Sequence, residues 1–299
     1  MSKKVIVGMS GGIDSSITAY MLQKDGYEVE GVYMKLHDLK EGYHEANIDA
    51  GSKVADFLGI KYHILDCSDK FEEEVYDYFV NSYLDGITPN PCVKCNRNIK
   101  FGAMLDFAKE HGADFLATGH YAKTDGEFIY EADDKTKDQS YFLSQVSKES
   151  LKNIMFPMSD RKKDDIIELG ASLNEIFKTI ASKKESQEIC FVDTVYTDII
   201  KKHADIDKPG KVLNEKGEEI GHHKGHAHYT IGKRRGFYVH GAHEPNFVKE
   251  LNSEDNTLVV GPKASLEVNN VTADNLNMFM EDLEFECGVR LRYRSVTTP

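Results

Sequence analysis

The stretch Lys3-Lys-Val-Ile-Val-Gly-Met-Ser-Gly-Gly-Ile-Asp-Ser-Ser16 sets a short β run directly against a glycine turn that opens a helix. Such a junction is the first half of a βαβ unit, and the next hundred residues repeat the alternation. Strand patterns fall at Lys4–Met9, Glu28–Met34, Tyr62–Leu65 and Phe115–Thr118. Helical periodicity covers Ser15–Gln23, Ala46–Leu58, the region around Phe71–Tyr83, and Ile99–Glu110. Strands separated by helices of this length predict an α/β fold with a parallel sheet and right-handed crossovers. Ligands on such sheets bind beyond the carboxyl ends of the strands, where the segments after Met9 and Thr118 fall.

The remainder reads differently. Residues 148–208 carry helical signals, as in Asp164–Leu169 and Thr197–His203, and no convincing strand. After Pro209-Gly210, Gly and Asn turns punctuate short β runs at His228–Ile231, Phe237–His240 and Thr257–Val260, which predicts a small β barrel. The expected organisation is a nucleotide-binding domain over 1–147, a small central domain over 148–208 and a β-barrel domain over 209–299. Cys287–Thr298 alternates like a strand without a closing turn, so the barrel is expected to be incomplete at its C-terminus, with an exposed edge.

No apolar run approaches the roughly 18 residues of a membrane span. The first strand begins too early for a signal peptide, and five irregularly spaced cysteines suit a reducing compartment. A soluble cytoplasmic protein is expected. The net charge of −13 argues against nucleic acid only until its distribution is examined. Gly86–Leu105, His222–His243 and Cys287–Pro299 contain no Asp or Glu and hold ten of the 37 Lys and Arg residues. Two of these windows coincide with motifs discussed below.

Ser10-Gly-Gly-Ile-Asp-Ser-Ser16 joins the first strand to the first helix. Its glycines let backbone amides turn inward, the helix start adds a positive field, and Ser15 and Ser16 offer hydroxyl donors; together these make an anion cradle. The lysine of a Walker loop is absent. The plainer alternative is an ordinary turn with Asp14 or Ser15 as helix cap.

This string resembles the signature of the ATP pyrophosphatases, which split ATP between the α- and β-phosphates. Three further segments narrow the resemblance: Thr88-Pro-Asn-Pro-Cys-Val-Lys-Cys-Asn96, Ala117-Thr-Gly-His-Tyr121 with Lys137-Asp-Gln-Ser-Tyr-Phe-Leu143, and Ser186-Gln-Glu-Ile-Cys-Phe191. In this order they are similar to the tRNA-specific 2-thiouridylases, which replace the C2 oxygen of the wobble uridine with sulfur. His228-Tyr-Thr-Ile-Gly-Lys-Arg-Arg-Gly236 resembles the start of that family's β-barrel domain, and the resemblance spans essentially the whole chain. It implies an ATP site at Gly8, Met9, Ser10, Gly11, Gly12, Ile13, Asp14 and Ser15, with adenine and ribose near Met34 and Gly119. Magnesium would neutralise the phosphates with Asp14 as a ligand. Read from its position alone, Met34 suits core filling equally well.

The resemblance further implies that Cys190 carries a persulfide and that Cys95, the nucleophile, attacks or reduces it to release sulfur. Thiolates do this work. Lys94 and Arg97 flank Cys95 and Lys183 and Lys184 precede Cys190, whereas Glu188 stands where family members generally have Gly. A second departure is Cys92, where many relatives carry Asp; it makes the loop a C-x-x-C. Cys92, Cys95 and Cys190 supply the ligand count of a four-iron four-sulfur cluster with one open iron. A redox dithiol or half a zinc site are the other readings, and ligand count favours persulfide chemistry. Cys67 and Cys287 lie outside every motif and are expected to be structural.

The family's contacts with tRNA map onto Asn90, Pro91 and Cys92 at the target base, and onto His120, Lys137, Asp138, Gln139, Arg292 and Tyr293 elsewhere. The base must leave its stack to react, and Tyr121 or Tyr141 is available either to stack on it or to fill core. The implied partners are tRNAs of the Lys, Glu and Gln type and a persulfide-donating protein. Four histidines, His222, His223, His226 and His228, cluster in Gly221–His228; on a strand His226 and His228 would share a face, but surface or loop placement is the commoner outcome for such clusters. Lys224, Lys233, Arg234 and Arg235 beside them fit phosphate contacts. Two rival readings stand: an amide-forming ligase or amidotransferase, which shares the Ser-Gly-Gly loop but needs neither Cys95 nor Cys190, and a non-catalytic RNA- or metal-binding protein.

Overall fold

Val5, Ile6 and Val7 are fully buried, as the middle strand of a parallel sheet covered on both faces requires. In the computed structural model, which describes residues 2–37, 41–183, 189–192, 194–282, 284–293, 295 and 297–298, β1 (Lys4–Gly8) pairs in parallel with β2 (Glu28–Lys35) on one side and β4 (Phe115–Ala117) on the other. β3 (Tyr62–Asp66) extends the sheet beyond β2, and β7 (Ile154–Met155) extends it beyond β4, giving the order β3-β2-β1-β4-β7. A hairpin of β5 (Ala122–Thr124) and β6 (Ile129–Glu131) follows β4.

Alternation along β1 assigns each face its own core. Val5 and Val7 join Ile13 and Ile17 of α1 (Ile13–Lys24), Val54 of α2 (Tyr43–Leu58), and Ile166 and Phe177 of two later helices. Ile6 faces Val32, Phe101, Met104, Leu116 and Ile154. The chain divides into two units, one of Met1–Glu74, Cys92–Ser186 and Leu276–Pro299, the other of Val75–Pro91 and Gln187–Asn275.

The second unit contains a five-stranded sheet in the order β10-β9-β8-β12-β11, comprising β8 (Gly210–Leu213), β9 (Glu219–His223), β10 (Tyr238–Val239), β11 (Phe247–Asn252) and β12 (Thr257–Gly261). β8 and β12 run parallel and the other pairs antiparallel. Val212, Tyr229, Val248, Leu258 and Val260 form its core.

The α/β class with a separate β unit agrees with the sequence pattern, and four local expectations are corrected. The helical signals near Phe71–Tyr83 and Ile99–Glu110 form helices broken by π turns at Glu72–Tyr76 and Asn96–Ala103. The segment after residue 148 contributes a strand, β7, too short for any period to register. His228–Ile231 is not a strand: Gly225 turns at φ 137° into a 3-10 turn over His226–His228. The Cys287–Thr298 pattern yields, among the described residues, a single bridge between Val289 and Thr298, and Cys287 is exposed rather than structural.

Candidate nucleotide and thiol site

The loop after β1 is shaped by backbone requirements. Gly11 adopts φ +79°, and a Cβ there would stand 2.7 Å from the Asn47 carbonyl oxygen. Gly12 is the extended residue that starts α1, and no side chain caps the helix. The capping role open to Asp14 and Ser15 is therefore not the one built; both lie inside the first turn. First-turn amides have no partners within a helix, and such a helix start is suited to an anion. The serine hydroxyls also bond within the loop. Ser15 and Ser16 hydroxyls donate to the Gly12 carbonyl at 3.0 and 2.9 Å, and the Ser10 amide donates to Ser15 Oγ at 3.2 Å. They hold the shape of the cradle.

The loop after β4 closes against it. A Cβ on Gly119 would stand 2.9 Å from the Ser15 nitrogen and 3.0 Å from the Asp14 carbonyl carbon. Only a hydrogen fits there. The two loops thus meet at the carboxyl ends of β1 and β4, where the strand order reverses and an open α/β sheet forms its ligand crevice.

Beneath the cradle lies a cluster that sequence reasoning missed. Lys163 Nζ donates to both oxygens of Asp14 at 2.7 Å, and the Tyr121 hydroxyl donates to Asp14 Oδ1 at 3.0 Å. The Arg161-Lys-Lys-Asp-Asp165 run reads as a solvated charge patch, so nothing marked Lys163; its burial comes from Ile166 of the same helix entering the core beside Ile13 and Ile17. Tyr121 is buried, which realises its core alternative over stacking on a base. Met34, at the end of β2, is half-buried against the Ile6 side of the sheet.

His120 points inward. Lys100 Nζ donates to its Nε2 at 3.2 Å, and its Nδ1 stands 2.8 Å from Thr118 Oγ1. An ammonium has no acceptor capacity, so Nε2 carries no proton and Nδ1–H donates to the threonine. Burial, with the charge of Lys100, drives the imidazole pKa far down and keeps the ring neutral. Asp138 and Gln139 are likewise used internally. Asp138 accepts from the Ala132 amide at 3.0 Å and the Ser140 hydroxyl at 2.8 Å, and Gln139 Oε1 accepts from the Tyr121 amide at 3.0 Å. Lys137 is half-buried, Arg292 is exposed, and the Tyr293 ring lies 4.5 Å from that of Phe142.

Cys92 and Cys95 occupy the single turn Pro91–Cys95, Cys92 half-buried and Cys95 buried. Burial pushes the Cys92 thiol up in pKa, and the Lys100 charge pulls it back. Asn90 and Pro91 belong to the second unit, as does the half-buried Cys190. Lys184, Glu188 and the Ser186-Gln187 part of the Cys190 motif lie outside the described residues. Cys67 is buried, as expected of a packing residue.

In the second unit the histidine cluster divides: His223 and His228 are buried, His226 is half-buried and His222 is exposed. His228 Nε2 stands 2.7 Å from Asp207, and His223 Nδ1 accepts from the Gly225 amide at 3.0 Å. Among the described residues, no three His, Cys, Asp or Glu side chains are grouped to hold a metal. Lys224, Lys233, Arg234 and Arg235 are all exposed, and Lys233 alone of them donates to the His228 carbonyl, at 2.7 Å.

A Ser-Gly-Gly cradle at the switch point of a parallel sheet, without a Walker lysine, defines a nucleotide-binding domain of the ATP-pyrophosphatase class. The model of the tRNA methyl transferase HUP domain matches residues 3–194, and that of the tRNA methyl transferase PRC-barrel domain matches residues 197–262. The chain is 69% identical over 297 residues to tRNA-specific 2-thiouridylase MnmA 1 of Aliarcobacter butzleri (strain RM4018), covering 99% of this chain and 86% of that one. It is 54% identical over 299 residues to tRNA-specific 2-thiouridylase MnmA of Sulfurimonas denitrificans (strain ATCC 33889 / DSM 1251), covering 100% and 87%. The chain belongs to the tRNA-specific 2-thiouridylase family.

Proposed function

We propose that this chain catalyses ATP-dependent 2-thiolation of the wobble uridine of tRNA. The observation that carries the reading is 69% identity, over nearly the full length, to a tRNA-specific 2-thiouridylase. The Ser10–Ser15 cradle suits the phosphates of ATP, with Met34 and Gly119 beside adenine and ribose. The uridine C2 oxygen attacks the α-phosphorus and pyrophosphate departs; the oxygen, a poor leaving group alone, then leaves as AMP.

Asp14 keeps 31% of its side chain exposed at the cradle, and its carboxylate is the donor type magnesium takes. Magnesium, when bound, would neutralise the phosphates, with Asp14 and phosphate oxygens holding it. For sulfur, Cys190 receives a persulfide from a donor protein. The Cys95 thiolate attacks the inner sulfur of that persulfide, hydrosulfide is expelled and adds to C2, and a Cys95–Cys190 disulfide forms. Asn90, Pro91 and Cys92 border the base; Lys137, Arg292 and Tyr293 meet the tRNA, while His120, Asp138 and Gln139 shape the loops that present them. Lys-, Glu- and Gln-type tRNAs are the substrates and the cytoplasm is the setting. The nucleotide, central and β domains of the proposed enzyme divide at about residues 147 and 208.

Supplying ATP, tRNA and a protein persulfide tests it: 2-thiouridine and AMP are expected in equal amounts. AMP formation without thiolated tRNA would point to the ligase reading. A four-iron cluster on Cys92, Cys95 and Cys190 remains the competing sulfur chemistry. Full activity of a colourless, iron-free protein purified without oxygen removes it.

A further inference from the structure

Cys92 has no assigned chemical role in the transfer just described, yet it shares one helical turn with Cys95. We propose that Cys92 is a resolving thiol, which attacks Cys95 after sulfur transfer and closes a Cys92–Cys95 disulfide that a dithiol reductant then opens. The step rests on the proposed relay, in which Cys95 ends bonded to Cys190.

The geometry favours this pair over any other thiol in the chain. Residues three apart on a helix have Cβ atoms roughly 5–6 Å apart, and a disulfide needs about 3.5–4.5 Å; a small adjustment within one turn closes the gap. Cys67 is buried and lies outside every sequence motif, and Cys287 is exposed on irregular chain. Cys92, half-buried beside a buried Cys95, is the more accessible member of the pair, as suits the thiol that enters an exchange last. The turn also has a cation at hand. Lys100 is held by the neutral His120 ring, whose other nitrogen is anchored on Thr118; burial raises the Cys92 pKa on balance, and the Lys100 charge offsets part of that cost.

The exchange balances. Cys92 loses its proton to solvent and its sulfur attacks Cys95 Sγ. The Cys95–Cys190 bond breaks, and Cys190 leaves with the electron pair and takes up a proton. Both cysteines of the C-x-x-C are then oxidised, and two electrons from an external dithiol restore them while that dithiol becomes a disulfide. Cys190 is free to be reloaded as soon as Cys92 has acted. Without Cys92, the reductant must reach the Cys95–Cys190 bond itself.

Two measurements on the full chain test the idea. First, the wild-type protein is equilibrated with mixtures of oxidised and reduced dithiothreitol, remaining thiols are alkylated, and peptides are mapped by mass. A Cys92–Cys95 disulfide is expected, and thiols at both positions that stay alkylatable throughout would overturn the proposal, as would stoichiometric iron bound by them. Second, one turnover is run without reductant. The wild type should end with Cys92–Cys95 oxidised and Cys190 alkylatable, and Cys92→Ser should accumulate Cys95–Cys190 and stop after a single product. Wild-type enzyme that makes product and halts at Cys95–Cys190, with Cys92 still alkylatable, overturns the resolving role while leaving the relay standing. If no tRNA is thiolated at all, the relay fails, and the dithiothreitol titration still decides whether the pair is a redox dithiol.

Discussion

Lys163 Nζ stands 2.7 Å from each carboxylate oxygen of Asp14, a residue 149 positions earlier in the chain. The pair ties the helix Lys163–Leu173 to the first turn of α1, directly under the loop proposed to hold phosphate. Replacing Lys163 by Met should lower unfolding free energy by roughly 1–3 kcal/mol, because a part-exposed carboxylate keeps some water when its partner is lost. Asp14→Asn on that background should cost little more. A urea double-mutant cycle with coupling near zero would show that the pair is incidental.

Gly119 sets the fit between the two loops. Gly119→Ala must displace the backbone at Asp14 and Ser15, where a Cβ meets atoms at 2.9–3.1 Å. ATP affinity is expected to fall at least about tenfold, near 1.4 kcal/mol, with the melting temperature lowered only slightly. Calorimetric titration with an unchanged dissociation constant would refute a cradle built on this approach.

Cys95→Ser and Cys190→Ser should each reduce thiouridine formation by about three orders of magnitude or more, since in the proposed relay no other group supplies the nucleophilic sulfur. Binding of ATP should persist in both. Thiolation that survives either substitution would remove that cysteine from the relay.

Stability toward acid should depend on Glu30. Burial alone would raise its carboxyl pKa, but hydrogen bonds from His63 and Lys4 and the charges of Lys4 and Lys61 outweigh it and hold the group at about 2, against 4.5 ordinarily. A depressed carboxyl pKa contributes stability in full above the unfolded value, and the contribution is lost as pH falls from about 4.5 toward 2. Glu30→Gln should therefore lower the melting temperature at neutral pH and flatten its decline across that window. Parallel curves for the two proteins would contradict the assignment.

Binding of tRNA should weaken by about tenfold or more between 50 and 200 mM salt, as cationic contacts with phosphate release counterions. Lys224, Arg234 and Arg235 are exposed, and replacing all three by Ala should make the salt dependence shallower. An unaltered slope by filter binding would move the phosphate contacts elsewhere.

The parallel sheet, the cradle after β1 and the C-x-x-C turn were legible in the sequence because each rests on local patterning: apolar runs at strand spacing, glycine at a turn with positive φ, and cysteines one helical turn apart. What escaped were features fixed by partners distant in the chain. β7 is two residues long and exists because β4 offers a free edge. His223 and His228 are internal, bonded to the Asn256 carbonyl and to Asp207, while His222 beside them is exposed. Lys163, indistinguishable in sequence from the charged neighbours around it, becomes buried only because the helix that carries it docks on α1. Local conformational preference and side-chain chemistry thus determined the shape of the loop proposed to receive phosphate and which thiols are set side by side. Tertiary structure alone decided how those groups are charged and braced, because desolvation and ion pairing depend on neighbours that only folding brings within a few ångströms.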